Sequence, residues 1–324
     1  MNHTTTSGAR VVHVLHGDTM GTRWRVCVAA DARLALPPLH DAVQATLDRI
    51  VAQMSTWEPA SDISRYNRAA AGSWQALPQP FEAVLRCALD VARASNGAYD
   101  PTVGPLVDLW GFGAGGRDPR VADAAEVAAA SARIGWQRIA LRDDPPAVLQ
   151  PGGIALDLSA IAKGYAVDAV VACLRERGIA DALVDIGGEL FGCGRKPDGT
   201  PWRVLVEAAP DADDATPCVL ALEDFAVATS GVHWHHFEHD GRTFAHTLDP
   251  RTGAPVERAP AAVTVIADDA MRADAWATAL TVMGFDEGFA FARTNGLAAR
   301  LVAADAGDDG IRMTAAFTAR LLAS

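Results

Sequence analysis

The chain has 324 residues, half of them hydrophobic (50%), and a formal net charge of −12. With no basic surplus to neutralise a phosphate backbone, a general nucleic-acid binder is excluded. No apolar run reaches the roughly 18 residues of a membrane span, and five dispersed cysteines without CxxC or CxxH spacing read as reduced thiols rather than a disulfide framework or zinc site.

Residues 1–9 read as a polar tail that lacks the charged start, apolar run and small-residue cleavage site of an export signal, so the expected compartment is the cytoplasm. Val11–Leu15 and Arg23–Val28 are predicted strands around the turn Gly17–Thr22. His40–Met54 and Pro80–Ser95 have helical apolar spacing, the second ending at Gly97, and Ala122–Ile134 reads as a surface helix closed by Gly135. The middle alternates: strand Ile154–Leu158, a helix from Ala160 to Arg177 stopped by Gly178, and strand Ala182–Ile186 ending in Gly187-Gly188. Val204–Glu207, Ala226–Thr229, Thr243–Leu248 and Ala262–Ile266 follow as strands, with Ala208–Pro217 as a loop, before a helix through Asp274. Strands outnumber regular βαβ pairs, which favours one α+β domain over residues 10–324, with mixed sheets flanked by helices, over a doubly wound fold.

Four segments carry candidate chemistry. Trp57 has two readings, a stacking platform for a planar ligand or a core edge. In Asp157-Leu158-Ser159-Ala160-Ile161-Ala162-Lys163 a strand hands over to a helix; Ser159 is a good N-cap, and Lys163 lies one turn in, the outline of a phosphate cradle or else an ordinary capped helix. His246, at the end of a strand before the turn Asp249-Pro250-Arg251-Thr252-Gly253, is a candidate general base or a satisfied structural residue. The nearby His233, His235, His236 and His239 fit a polar rim better than a metal site. Asp274, Thr278 and Thr281 share one face of an apolar helix, as oxygen ligands of a hard cation do, although Thr back-bonding explains the hydroxyls equally.

In order along the chain, Met20-Gly21-Thr22, Ser55-Thr56-Trp57 through Asn67, Gly97–Val107, Trp110-Gly111-Phe112-Gly113, Asp157–Asp168, Asp185-Ile186-Gly187-Gly188, Thr229-Ser230-Gly231, His246–Gly253 and Ala273–Leu280 together resemble the ApbE-type FAD:protein FMN transferases. The resemblance spans about Gly17 to Gly296 and implies an ApbE-like domain that cleaves the FAD diphosphate with Mg²⁺ and joins FMN by a phosphoester to a Thr or Ser of an acceptor protein. It implies that Met20, Trp57, Ala98, Tyr99, Asp100, Asp157, Lys163 and Leu248 line the FAD site. The Asp274 carboxylate, the Thr278 hydroxyl and the Ala160 carbonyl would hold the metal, and His246 would be the base. Trp57 stands where a Tyr is usual, and the stretch after Ser230-Gly231 is His-rich where an aromatic and basic pattern is typical. A metal-dependent FAD pyrophosphatase and a non-catalytic flavin carrier are the alternatives; intact Asp274, Thr278 and His246 argue against the carrier.

Overall fold

A computed structural model of the chain describes residues 9–116, 118–206, 218–231, 236–304 and 310–321. Strands β1 (Arg10–Thr19) and β2 (Thr22–Asp31) pair as one hairpin, and its Met20-Gly21 turn has φ of 49° and 72°. Positive φ at both central residues is the turn geometry whose twist matches paired strands. Helices α1 (Leu36–Met54), α2 (Asp62–Arg68) and α3 (Gln79–Ala94) follow, with strand β3 (Trp74–Ala76) before the last. The predicted apolar spacing is what α1 and α3 bury: Leu39, Val43, Leu47 and Ile50 in the first, Phe81, Val84, Leu85 and Ala88 in the second. Next come α4 (Gly104–Leu109), α5 (Ala124–Ser131), β4 (Leu141–Asp143) and β5 (Pro146–Leu149). Helix α5 starts later than the apolar pattern suggests because Asp123 and Glu126 form a capping box there.

The second half supplies α6 (Ala162–Glu176), β6 (Ala182–Ile186), β7 (Glu189–Cys193), β8 (Trp202–Val206), β9 (Cys218–Leu222) and β10 (Phe225–Gly231). It continues with β11 (His236–His239), β12 (Arg242–Ala245), β13 (Leu248–Asp249), β14 (Ala254–Pro255) and β15 (Ala262–Ala267). Helices α7 (Ala270–Met283) and α8 (Phe285–Thr294), strands β16 (Ala298–Val302) and β17 (Ile311–Met313), and helix α9 (Ala315–Thr318) complete it.

Eight strands form the main sheet in the order β1-β2-β6-β7-β10-β15-β16-β17, with antiparallel ladders throughout. Parallel pairing, among the described residues, is confined to an isolated bridge between Val103 and Ala155. Strand alternation divides the core. Trp24, Val26 and Val28 of β2 and Val184 and Ile186 of β6 pack with Leu47, Val167 and Val170 of the helices. On the opposite face Ala29 and Leu183 meet Trp202, Leu220 and Leu222 of the β8–β9 hairpin and Phe317 of α9. The α+β class is as expected, and among the described residues no helix is long and apolar enough to cross a membrane.

Two predicted elements differ. Ile154–Leu158 is not a ladder strand, although Ile154, Leu156 and Leu158 all point inward. Its backbone is satisfied instead by the Asn67 side chain, which donates to the Leu156 carbonyl (2.9 Å) and accepts from its N–H (2.7 Å), and by the Pro101 carbonyl, which accepts from Asp157 N–H (2.8 Å). The predicted strand Thr243–Leu248 breaks after Ala245, so His246 lies between β12 and β13. The predicted loop Ala208–Pro217 and residues His233 and His235 lie outside the described residues.

Candidate active site

Helices α6 and α7 are tied together by reciprocal carboxylate–amide bonds. Asp168 of α6 accepts from the Ala270 and Met271 N–H groups that open α7, each at 2.9 Å, and burial lifts its pKa to about 7 against those two bonds. In return Gly164 of α6 donates its N–H to Asp274 Oδ2 at 3.0 Å. Only glycine permits this approach: a Cβ at Gly164 would lie 2.2 Å from the Ala270 carbonyl oxygen and 2.8 Å from Asp274 Cβ. Because that N–H is turned to Asp274, it does not close a helical turn onto the Ala160 carbonyl, and no hydrogen bond among the described residues reaches that oxygen.

Asp274 is 3% exposed, and burial pushes its pKa up, with the Lys163 ammonium and the Gly164 N–H opposing. One turn on, Thr278 Oγ1 is 3.3 Å from Ser230 Oγ at the end of β10. Thr281 is different: fully buried, it donates to the Ala277 carbonyl at 2.8 Å, so the plain back-bonding reading holds for it and the oxygen-bearing stripe stops at Thr278.

Ser159 is not the helix cap. Helix α6 begins at Ala162 after Ile161, without a side-chain cap, and the Ser159 amide and hydroxyl are both turned back to Asp157 Oδ1. The N–H groups that a Ser159 cap would accept, those of Ile161 (3.1 Å) and Ala162 (2.8 Å), donate instead to the Leu158 carbonyl, while an Asx turn onto Asp157 takes the Ser159 hydroxyl. Lys163, the other half of the predicted cradle, forms an ion pair with Glu189 Oε1 at 2.6 Å. Burial works against the Lys163 charge, yet Glu189 and Asp274 together hold its pKa above the ordinary value. Glu189 was not legible as a site residue. It opens β7 directly after Gly187-Gly188, is 2% exposed, and its Oε2 has no hydrogen-bond partner. Burial, with Asp274 adding to it, pushes its pKa up to about 8 despite the adjacent ammonium. Two buried carboxylates share one ammonium, so near neutrality the cluster keeps a proton that ordinary carboxylates would have lost.

The other candidates lie at four places around the site. Ala98, Tyr99 and Asp100 are buried and joined to the Asp157 segment by the Asp157–Pro101 and Val103–Ala155 contacts. The Asp100 carboxylate accepts from Thr102 N (2.8 Å), Thr102 Oγ1 (2.6 Å) and Trp136 N (3.1 Å), so its side chain organises the loop. The buried Tyr99 hydroxyl has no hydrogen-bond partner among the described residues, and burial together with Asp274 raises its pKa well above the ordinary value. Met20 sits at the hairpin tip in an open cavity of about 530 Å³ lined by Asp18 to Arg23, and the Gly187 N–H donating to the Arg23 carbonyl (3.1 Å) links that tip to the turn before Glu189. Trp57 is 70% exposed, which removes the core-edge reading. Leu248 lies in a separate apolar cluster with Leu106, Leu109 and Trp110.

His246 follows β12 and meets the Phe112 ring edge-on, centroids 6.4 Å apart at 71°. Asp249 is engaged by Arg251, whose backbone N–H (2.8 Å) and guanidinium (2.9 Å) both reach its carboxylate, so it closes the turn. His236 and His239 are exposed on β11, as a polar rim requires.

Among the described residues no group of three or more His, Cys, Asp or Glu side chains has metal-holding geometry. The ligands that the resemblance implies are instead a carboxylate (Asp274), a hydroxyl (Thr278) and a carbonyl (Ala160) that no hydrogen bond among the described residues reaches. Such a sparse set fits a hard cation that completes its shell with phosphate oxygens and water, as Mg²⁺ does.

The ApbE family model matches residues 20–301. The FAD:protein FMN transferase of Klebsiella pneumoniae (strain 342) is 35% identical over 302 residues, covering 92% of this chain and 86% of that protein. Its counterpart from Salmonella typhimurium is 34% identical with the same coverage. Among solved structures, the apo form of the Pseudomonas stutzeri flavinyl transferase ApbE superposes with a TM-score of 0.89 at 37% identity, covering 97% of this chain and 98% of that one.

Proposed function

This chain belongs to the ApbE family, and we infer that it is an FAD:protein FMN transferase that joins FMN to a Thr or Ser hydroxyl of an acceptor protein and releases AMP. The observation that carries the site assignment is the Lys163–Glu189–Asp274 cluster, a buried carboxylate pair short of positive charge beside the uncommitted Ala160 carbonyl. In our reading Asp274, Thr278 and the Ala160 carbonyl hold Mg²⁺, which when bound supplies positive charge to the diphosphate. Lys163 leaves its Glu189 partner far enough to offer its ammonium to the same phosphate oxygens, as a point charge. The FMN phosphorus of FAD gains a bond to the acceptor oxygen and loses its bond to the AMP oxygen. His246 takes the hydroxyl proton as that bond forms, since a Thr hydroxyl is a poor nucleophile at its free pKa. Positioning and electrostatics carry the remainder of the rate. Met20, Trp57, the Ala98–Asp100 segment, Asp157 and Leu248 are the proposed flavin and adenosine contacts; exposure of Trp57 suits a ring that stacks on a planar ligand.

The test is direct: incubate the protein with FAD, Mg²⁺ and a flavoprotein domain that ends in covalent FMN, and weigh the acceptor intact. A gain equal to one FMN phosphoester, with equimolar AMP, is expected. Free FMN and AMP without a heavier acceptor would instead identify a pyrophosphatase.

A further inference from the structure

We propose that Phe112 is a positioning residue for His246; the inference rests on the reading of His246 as the base. The segment Trp110-Gly111-Phe112-Gly113 follows α4 and is pressed against its own surroundings at both glycines. A Cβ on Gly111, which has a φ of 81°, would come within 2.5 Å of Pro119 Cα, and one on Gly113 within 2.1 Å of Asp108 Oδ1. The backbone is thus fixed on either side of Phe112, and the ring is projected toward the β11–β12 hairpin.

There it enters a run of four rings. Phe112 lies 5.7 Å from Phe237, Phe237 stacks on Phe244 at 5.1 Å, and Phe244 stacks on Trp110 at 5.9 Å. The run starts and ends on the same short segment, so the hairpin is clasped from both sides. Trp110 reaches further: its indole N–H donates to the Gly253 carbonyl at 2.9 Å, which fastens the far end of the turn that His246 precedes. The stretch from Phe244 to Gly253 is therefore held at both ends by Trp110, and Phe112 meets the imidazole edge-on. β12 ends at Ala245, and the Phe112 ring edge gives the imidazole of the next residue an orienting contact of its own. A base displaced by about 1 Å loses on the order of 10²-fold in rate, so a clasp of this kind has a function that general core packing lacks.

The experiment measures turnover and FAD affinity for Phe112→Leu, Phe112→Tyr and His246→Ala, and for the double variant Phe112→Leu/His246→Ala. Phe112→Leu is expected to lower kcat about 10- to 100-fold with unchanged FAD affinity, Phe112→Tyr to retain most of it, and Phe112→Leu to have no further effect once His246 is absent. An equal loss in both backgrounds, or a fall in FAD affinity matching that in kcat, overturns the proposal. Should Phe112→Leu not fold, Phe112→Met carries the same comparison. If the wild type transfers no FMN, the transferase reading fails on its own. The contact is then judged from the His246 imidazole NMR resonances: a shift in Phe112→Leu that Phe112→Tyr restores supports it, and unchanged resonances refute it.

Discussion

Cation binding should expel a proton from the Lys163–Glu189–Asp274 cluster. Glu189 has its pKa pushed up to about 8, chiefly by burial, and Asp274 is raised for the same reason. A divalent cation seated on Asp274 replaces the charge that this proton supplies, so the two compete. Glu189 and Asp274 titrate together, so the proton belongs to the cluster, which keeps it near neutrality and loses it as the pH rises. Titrating Mg²⁺ calorimetrically in buffers of different ionisation enthalpy should therefore show release of up to about one proton per cation near neutrality, falling as the pH rises, with an apparent affinity that improves over the same range. Glu189→Gln should remove most of the release. Zero release at pH 7, or release unaffected by Glu189→Gln, would refute the shared-proton argument. The same proton sets the sign of stability in the cation-free protein. Between the ordinary Glu value of 4.5 and about 8 the folded state holds a proton that the unfolded state has lost, so stability present at low pH declines as pH rises through about 8. Asp168, raised from 3.8 to about 7, acts in the same direction.

Gly164→Ala should overpack the α6–α7 contact by about 1–3 kcal/mol and weaken Mg²⁺ affinity, because its Cβ would meet the Ala270 carbonyl at 2.2 Å; thermal unfolding and calorimetry read the two effects, and an unchanged pair of values would refute the close-approach argument. Asp274→Ala should abolish Mg²⁺-dependent turnover while some FAD binding persists, and Thr278→Val should be milder because water can replace a hydroxyl ligand; wild-type activity of Asp274→Ala at saturating Mg²⁺ contradicts the assignment. Lys163→Ala should weaken FAD binding more than it alters the Mg²⁺ requirement, and should cost about 1–3 kcal/mol in stability because it leaves the buried Glu189 carboxyl without its partner. A flavin titration alongside unfolding curves separates these, and unchanged FAD affinity would return Lys163 to a structural role. His246→Ala should lower the transfer rate by about 10²- to 10⁴-fold with FAD affinity intact; parallel loss of affinity and rate would make it a binding residue.

The elements legible in the sequence are those whose signal is local. Leu39, Val43, Leu47 and Ile50 recur at helical spacing and α1 forms there; Ala182–Ile186 ends at Gly187 and β6 ends at Ile186. Ile154–Leu158 carries an equally clean alternation and is buried accordingly, but its backbone partners are the side chain of Asn67 and the carbonyl of Pro101, and nothing in a local pattern reveals which group will fill a hydrogen bond. Ser159 is not a cap for a related reason, since the Leu158 carbonyl takes the Ile161 and Ala162 N–H groups that its hydroxyl would have accepted.

The site was legible to the extent that each residue declares its chemistry alone. Asp274 and Thr278 do so by sharing a helix face, and His246 by its ring. Glu189 does not, because a Glu at the start of a strand reads as solvent-facing until the fold seals it beside Lys163, 26 positions away in sequence. Gly164 is hidden in the same way: its role exists only against Ala270 and Asp274, the latter 110 positions on. These two residues explain why a capped helix at Lys163 and an apolar helix at Asp274 each read alone as ordinary. The missing side chain at Gly164 brings α6 and α7 together, that contact diverts the Gly164 amide to Asp274, and the diversion frees the Ala160 carbonyl. Three properties that resemble separate motifs in the sequence are thus one packing event, and a substitution at the glycine should disturb all of them at once.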